Sequence, residues 1–247
     1  MIKVIKGTFE EEMPKLNVVL DAIFIDFPYN TTRAKWDTPV DLNIFWKNAW
    51  KLLKPNGVVI CTAQIPFNIT LGASQLNYLK YEWIWEKSQA TGHLNAKKMP
   101  MKAHENVMIF YKKLPTYNPQ KTYGHVRKVS SSSSRGKCIE RRNKKEDYIY
   151  NKEKIEGVKS YDSTERYPRT VLKFPSDKQT NALHPTQKPL SLVEYFIKTY
   201  TNEGDLVGDF CAGSGTTGEA CKNLNRDCIL IEKEQKWIDV IKKRLNL

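Results

Sequence analysis

The stretch DLVGDFCAGSGTTGEA, residues 205–220, constrains the fold more than any other part of the chain. Its first six residues read as a buried strand, Gly213 and Gly215 as a tight turn, and the remainder as the start of a helix. Gly218 completes G-x-G-x-x-G, and Glu232 stands 19 residues beyond Gly213 at the end of the next apolar run, CILIE. Glycines at these places let a ligand approach the backbone at the head of a helix. An acid on the neighbouring strand accepts from ribose hydroxyls, which together suit an adenosine-bearing cofactor. Only that strand and one amphipathic helix follow before Leu247, so the other strands of the sheet are expected from residues 1–112. A dinucleotide domain needs more strands after its fingerprint. Asp209 and Glu232, one acid ending each of two adjacent strands, suit an amine and a ribose diol better than a pyrophosphate.

The upstream half supplies the strands. VVLDAIFID at 18–26 and VVICTA at 58–63 are β-branched apolar runs. Between them, residues 41–53 place Leu42, Phe45, Trp46, Ala49, Trp50 and Leu53 on one helical face, stopped by Lys54-Pro55-Asn56-Gly57. Residues 68–79 read as a helix. YEWIWEK and ENVMIFYKK read as two strands around a polar loop, 88–103, of a length that is usually functional. From 114 to about 180 no apolar period is sustained, and order returns with a helix, LSLVEYFIKTY, begun by Pro189.

Asp26-Phe27-Pro28-Tyr29 closes the first strong strand. In open α/β sheets ligands bind at the C-terminal ends of strands, so this turn should face the same cleft as Gly213. An exocyclic amine on an aromatic base needs such a turn, because its lone pair is delocalised into the ring. The Asp26 carboxylate and the Phe27 carbonyl can each accept one N–H, aiming the lone pair at an electrophilic methyl while Tyr29 stacks on the base. A fixed anion then stabilises the cationic nitrogen of the transition state. Such a base is reached only when flipped out of a duplex.

Charge points to a polyanionic partner. The chain carries 40 Lys and Arg against 27 Asp and Glu, a formal +13. Residues 121–160 hold 12 basic and 5 acidic side chains, so a net +7 sits in one segment. Arg135, Arg141, Arg142, Lys144 and Lys145 there, and His93, Asn95, Lys97, Lys98 and Lys102 in the 88–103 loop, are candidate contacts to such a partner, with Trp36 placed to cap the base pocket. Five scattered cysteines without a CxxC exclude a disulfide scaffold and a cysteine zinc site, and no metal is expected. No apolar run reaches the ~18 residues of a membrane span. The N-terminus lacks a secretory pattern, so a cytoplasmic location is expected.

Three blocks in this order, IDFPYN at 25–30, HPTQKPL at 184–190 and GDFCAGSGTTG at 208–218, resemble the amino-group DNA methyltransferases that use S-adenosylmethionine, in their β-class order. WEK at 85–87, HENVMIFYK at 104–112, YNPQ at 117–120 and RYP at 166–168 extend the likeness over nearly the whole chain. The resemblance implies a Rossmann-like α/β methyltransferase fold with a seven-stranded, mostly parallel sheet and one antiparallel hairpin from 81–87 and 105–112. Motif order is permuted: a catalytic half at 1–113, an inserted target-recognition region at 114–180, and a cofactor half at 181–247.

Carried over residue by residue, it makes Asp26, Phe27, Pro28 and Tyr29 the catalytic turn. It assigns Asp209, Phe210, Gly213, Ser214, Gly215 and Thr216 to the methionine end of the cofactor, with Asp26 bordering it, and Glu232 to the ribose. Thr186, Gln187 and Lys188 would also lie against the methionine portion, and Gly7, Thr8 and Phe9 near the adenine. Phe27 stands where the family more often has proline, and Thr8 where it commonly has an acid. The implied reaction is methylation of adenine N6 in DNA, since an aspartate opening the turn leans to adenine and serine to cytosine N4. The partners implied are DNA and, as in many relatives, a second copy in a homodimer, in a restriction–modification setting. Cytosine N4 methylation, a silent DNA-binding subunit of the same fold and a nicotinamide enzyme are the competing readings.

Overall fold

The computed structural model describes residues 1–30, 37–131, 161–175 and 183–247. They form two compact units, Met1–Asn118 with Arg169–Leu247, and Pro119–Pro168.

The first unit is an α/β sheet with helices on both faces. In chain order it contains β1 (Ile2–Lys6), α1 (Phe9–Glu12), β2 (Leu20–Asp26), α2 (Leu42–Leu52), β3 (Leu53–Ala63), α3 (Phe67–Ser74), β4 (Leu79–Thr91) and β5 (Lys102–Tyr111). The second unit contributes β6 (Lys128–Ser130) and β7 (Tyr161–Ser163). The first resumes with β8 (Val171–Phe174), α4 (Leu190–Tyr200), β9 (Leu206–Asp209), α5 (Thr216–Asn223), β10 (Asp227–Glu232) and α6 (Gln235–Leu245).

Strand order is β1-β10-β9-β2-β3-β5-β4-β8, and β5 alone runs against the rest. The sheet therefore has eight strands where seven were expected. The additional one is β8, whose four residues pair in parallel with the edge of β4, Ile84 opposite Val171 and Lys87 opposite Phe174. The stretch is too short to show a period of its own; it is a strand because β4 offers it an open edge.

Both faces of the central strands are apolar, as parallel strands between two helix layers require. Along β2, Ala22 and Phe24 join Ile60, Trp83, Phe196 and Ile241 in one core. Ile23 and Ile25 point the other way into Phe45, Trp46, Met108 and Phe110. The α2 helix starts where expected because the Asp41 carboxylate caps it, accepting from Asn43 N at 2.8 Å and Ile44 N at 3.2 Å. The Trp83 indole donates to Tyr200 Oη at 2.8 Å, fastening α4 to β4.

Three boundaries differ from expectation. The polar 88–103 loop is shorter than expected: β4 runs on to Thr91, which pairs with Lys102, so 92–101 remains as the connection. Backbone pairing extends this hairpin although its side chains are exposed and polar. The α3 helix ends at Ser74 rather than near 79. The compact second unit is narrower than the expected 114–180, because 114–118 and 169–175 belong to the first unit. Within the second unit β6 and β7 pair antiparallel, and the Arg127 guanidinium grips Asp162 through two parallel hydrogen bonds of 2.7 and 2.5 Å.

Candidate active site

Asp26 is the last residue of β2, a central strand, and its carboxylate lies at the C-terminal edge of the sheet. Thr62, its register partner on β3, donates to Oδ1 at 2.5 Å. The Tyr29 hydroxyl donates to the same oxygen at 2.6 Å. From the far end of the sequence, Lys188 Nζ donates to Oδ2, also at 2.6 Å. Burial, reinforced by Asp26, raises the Tyr29 hydroxyl well above its ordinary value and keeps it a donor. The Tyr29 ring lies near-parallel to Phe67 at 5.5 Å, and Lys188 Nζ stands 5.2 Å from its centroid. Phe27 turns into the core, edge-on to Phe45 at 4.8 Å. This packing accommodates a phenylalanine side chain where the family more often has proline.

Lys188 belongs to a buried chain of charges. It pairs with Asp26 and, at 3.4 Å, with Glu105 Oε2 on β5, whose other oxygen pairs with Lys87 of β4 at 2.7 Å. Burial works against the Lys188 ammonium, yet Asp26 and Glu105 outweigh it and leave the group above its ordinary value. The same holds in mirror image for Glu105: burial favours its neutral form, but Lys188 and Lys87 carry it below the usual carboxylate range.

A cavity of about 510 Å³ runs from this cluster along the ends of β9 and β10. Asp26, Phe27 and Pro28 line it with Gly7, Thr8, Phe9, Thr186, Gln187, Lys188, Asp209, Phe210, Gly213, Ser214, Thr216 and Glu232. Gly213 has φ of +52°, and a Cβ placed there would meet no protein atom within 4 Å, so its bare face opens on the cavity. Gly215 differs. It caps α5 at φ of +79°, and a Cβ there would press on Ile241 at 3.0 Å, so its role is close packing of α6 rather than ligand approach. Of the residues expected in the catalytic turn and at the cofactor, all of them described, Gly215 and Tyr29 are the two that do not border the cavity.

The two acids are held differently. Glu232 accepts Gly213 N and Glu234 N, each at 2.9 Å, and burial nonetheless raises its carboxyl. Asp209 accepts Thr217 Oγ1 at 2.5 Å and Cys211 N at 3.1 Å, and burial pushes it up to about 7. Thr8 is used locally: its hydroxyl caps α1 by accepting Glu11 N at 3.3 Å. His184 packs edge-on against Trp237 at 4.2 Å, with burial lowering its pKa.

Sequence reasoning missed Arg244. From α6 its guanidinium reaches Ser214 O at 3.1 Å, Ser214 Oγ at 3.2 Å and Thr216 Oγ1 at 3.1 Å, and it pairs with Glu219. Ser214 Oγ in turn donates to Gln187 Oε1 at 3.0 Å. One buried cation thus ties the glycine turn to the HPTQKP segment. In sequence Arg244 is one charge among several on a helix that is polar on one face. Lys87 and Glu105 were within quoted blocks, WEK and HENVMIFYK, without a role.

His93, Asn95, Lys97 and Lys98 are exposed on the 92–101 connection, with Lys102 at the start of β5, and none enters the cavity. Trp36, Arg135, Arg141, Arg142, Lys144 and Lys145 lie outside the described residues. Among those described, no cluster of His, Cys, Asp and Glu could hold a metal ion, and no helix is long and apolar enough to cross a membrane.

Comparison with known proteins gives the family and the fold. The family model N6_N4_Mtase, described as DNA methylase, matches residues 20–243. The Type II methyltransferase M.HpaI of Haemophilus parainfluenzae is 26% identical over 92% of this chain and 68% of its own. The DNA adenine methyltransferase YhdJ of Escherichia coli is 27% identical over 99% of this chain and 82% of its own. Among solved structures, the M1.HpyAVI-SAM complex superposes with a TM-score of 0.64 over 99% of this chain and 100% of that one, at 24% identity, a likeness of fold. With its matched region running from β2 into α6 and including all three motif blocks, the chain belongs to the DNA methylase family of N6 and N4 amino-methyltransferases.

Proposed function

We propose that this DNA methylase transfers a methyl group from S-adenosylmethionine to the exocyclic N6 of adenine in DNA. The observation that carries this reading is the Asp26 carboxylate, oriented by Tyr29 and Thr62, which lines one cavity with Gly213 and Glu232.

The residues present fit the cofactor. The cavity volume is in the range of small-molecule sites. Gly213 presents open backbone to it, and two carboxylates at adjacent strand ends supply acceptors for a ribose diol and an ammonium. Glu232 would take the ribose, Asp209, Phe210, Ser214 and Thr216 the methionine end with Thr186 and Gln187, and Gly7, Thr8 and Phe9 the adenine. When bound, S-adenosylmethionine supplies an electrophilic methyl group on a sulfonium.

The chain's own work is to orient and to stabilise charge. Asp26 and the Phe27 carbonyl accept the two N–H groups of the target amine and turn its lone pair out of conjugation. As the nitrogen becomes cationic, the Asp26 carboxylate beside it lowers the barrier, an effect on the order of 10²–10³-fold for one well-placed group. Tyr29 and Thr62 hold that carboxylate in place through Oδ1. An aspartate opening the turn and the adenine-named relative favour adenine over cytosine. DNA contact is assigned to His93, Asn95, Lys97, Lys98 and Lys102, and to Trp36, Arg135, Arg141, Arg142, Lys144 and Lys145. The second unit, 119–168, is assigned to target recognition.

The test is methyl-labelled cofactor on unmethylated genomic DNA, followed by mild acid depurination. Label released with the purines supports adenine. Label retained in the apurinic polymer moves the reaction to cytosine N4.

A further inference from the structure

Two buried charges, Glu105 and Lys87, have no part in the chemistry above. Lys87 fixes Glu105 through Oε1 at 2.7 Å. Glu105 Oε2 is fully buried, accepts no hydrogen bond and faces Lys188 Nζ at 3.4 Å. Lys188 therefore stands between two carboxylate oxygens, tight on Asp26 Oδ2 at 2.6 Å and loose on Glu105 Oε2. A buried acceptor left without a donor is costly, and it persists where it has a use.

That use follows from what Asp26 must do. Its Oδ1 already takes two hydroxyl donors, Thr62 and Tyr29, which fills its lone pairs. Oδ2 is thus the oxygen left for a target amine, and Lys188 holds it. An ammonium at hydrogen-bond distance from that oxygen also opposes the positive charge that grows on the amine during transfer. Glu105 Oε2 offers Lys188 a second seat. Reaching an ordinary charge-assisted distance of roughly 2.8 Å needs a shift of well under 1 Å, which a flexible lysine stem absorbs.

We propose that Lys188 is a two-position counter-ion: it rests on Asp26 Oδ2 and moves onto Glu105 Oε2 when the target amine donates to Asp26, which makes Glu105 a positioning residue for methyl transfer. Lys188 keeps its three protons throughout, and no covalent bond forms or breaks in the exchange. Lys87 is the fixed partner that keeps Glu105 ionised and aimed.

The inference rests on the assignment of Asp26 to the target amine, and the experiment separates the two. Glu105→Gln keeps the volume and loses the charge; Glu105→Asp keeps the charge and shortens the arm. A counter-ion seat predicts that Glu105→Gln lowers kcat about 10-fold or more, with KM for DNA and cofactor affinity within about twofold. Glu105→Asp should recover most of kcat. A space-filling role predicts the opposite ranking, and that ranking, an unchanged kcat in Glu105→Gln, or a parallel loss of cofactor affinity overturns the proposal. Asp26→Asn is assayed alongside. If it retains turnover, the reading of Asp26 has failed; if it is inactive while Glu105→Gln is fully active, only the counter-ion exchange has failed.

Discussion

Lys188 Nζ donates to Asp26 Oδ2 across 2.6 Å of space and 162 positions of sequence. The contact joins the catalytic turn after β2 to the HPTQKP segment before α4, a segment that sequence reading set against the methionine portion of the cofactor. It places the lysine on the catalytic acid itself, and Gln187, one residue earlier, at the glycine turn through Ser214. One short segment thereby touches both halves of the site.

Gly213 and Gly215 should separate when substituted, although both have positive φ. Gly213→Val puts a β-branched chain on the open face of the cavity, so cofactor affinity measured by calorimetry should fall more than about 10-fold. The strain of a left-handed L-residue adds roughly 1–2 kcal/mol of instability. Gly215→Ala meets Ile241 instead, and its loss should be read mainly in Tm. Unchanged affinity in Gly213→Val would remove the turn from the cofactor site.

Arg244→Met tests the clamp on that turn. The variant loses hydrogen bonds to Ser214 and Thr216 and the pair with Glu219, at a cost of about 2 kcal/mol or more. For a chain of this size, Tm should drop by several degrees, about 2–4 °C per kcal/mol. Cofactor affinity should weaken as Ser214 loosens. A variant with wild-type Tm and affinity shows that the turn holds itself.

Asp209 gives a pH signature with an unusual sign. Its carboxyl is raised from the ordinary 3.8 to about 7 by burial. Below that window both folded and unfolded chains hold the proton. Within it the unfolded chain has ionised and the folded chain has not, so this group's contribution to stability falls as pH rises towards 7 and is flat above. Asp209→Asn should gain Tm relative to the wild type across the same window. Cofactor affinity should rise with pH up to about 7 in the wild type, because an ammonium favours the ionised carboxylate, and Asp209→Asn should lose that rise. A pH-independent affinity in the wild type contradicts the assignment.

Replacing Lys97, Lys98 and Lys102 by glutamine should weaken DNA binding and reduce the slope of log K against log salt, by up to about 0.9 for each phosphate that is no longer neutralised. An unaltered slope means that these lysines on the β4–β5 hairpin are only solvated.

What was legible in the sequence was whatever announces itself locally. β2, β9 and β10 are apolar runs ended by acids, α4 and α6 have helical periods, and Gly213 carries a backbone constraint visible as a glycine. β1 and β8 were not read as strands, because IKVIK is punctuated by lysines and VLKF is four residues long; each becomes a strand through an edge offered by β10 or β4. Polar side chains likewise hid the extension of the β4–β5 hairpin. Thr62, Glu105 and Arg244 were invisible for a related reason. A buried charge or hydroxyl looks in sequence like a solvated one, and only its partner, dozens of residues away, decides which it is.

The most direct test digests genomic DNA treated with wild-type protein or with Asp26→Asn and labelled S-adenosylmethionine, and identifies the modified nucleosides by mass spectrometry. The account predicts N6-methyladenine from the wild type and a loss of at least about 100-fold from the variant, with cofactor affinity retained. N4-methylcytosine in place of N6-methyladenine, or undiminished product from the variant, would contradict it.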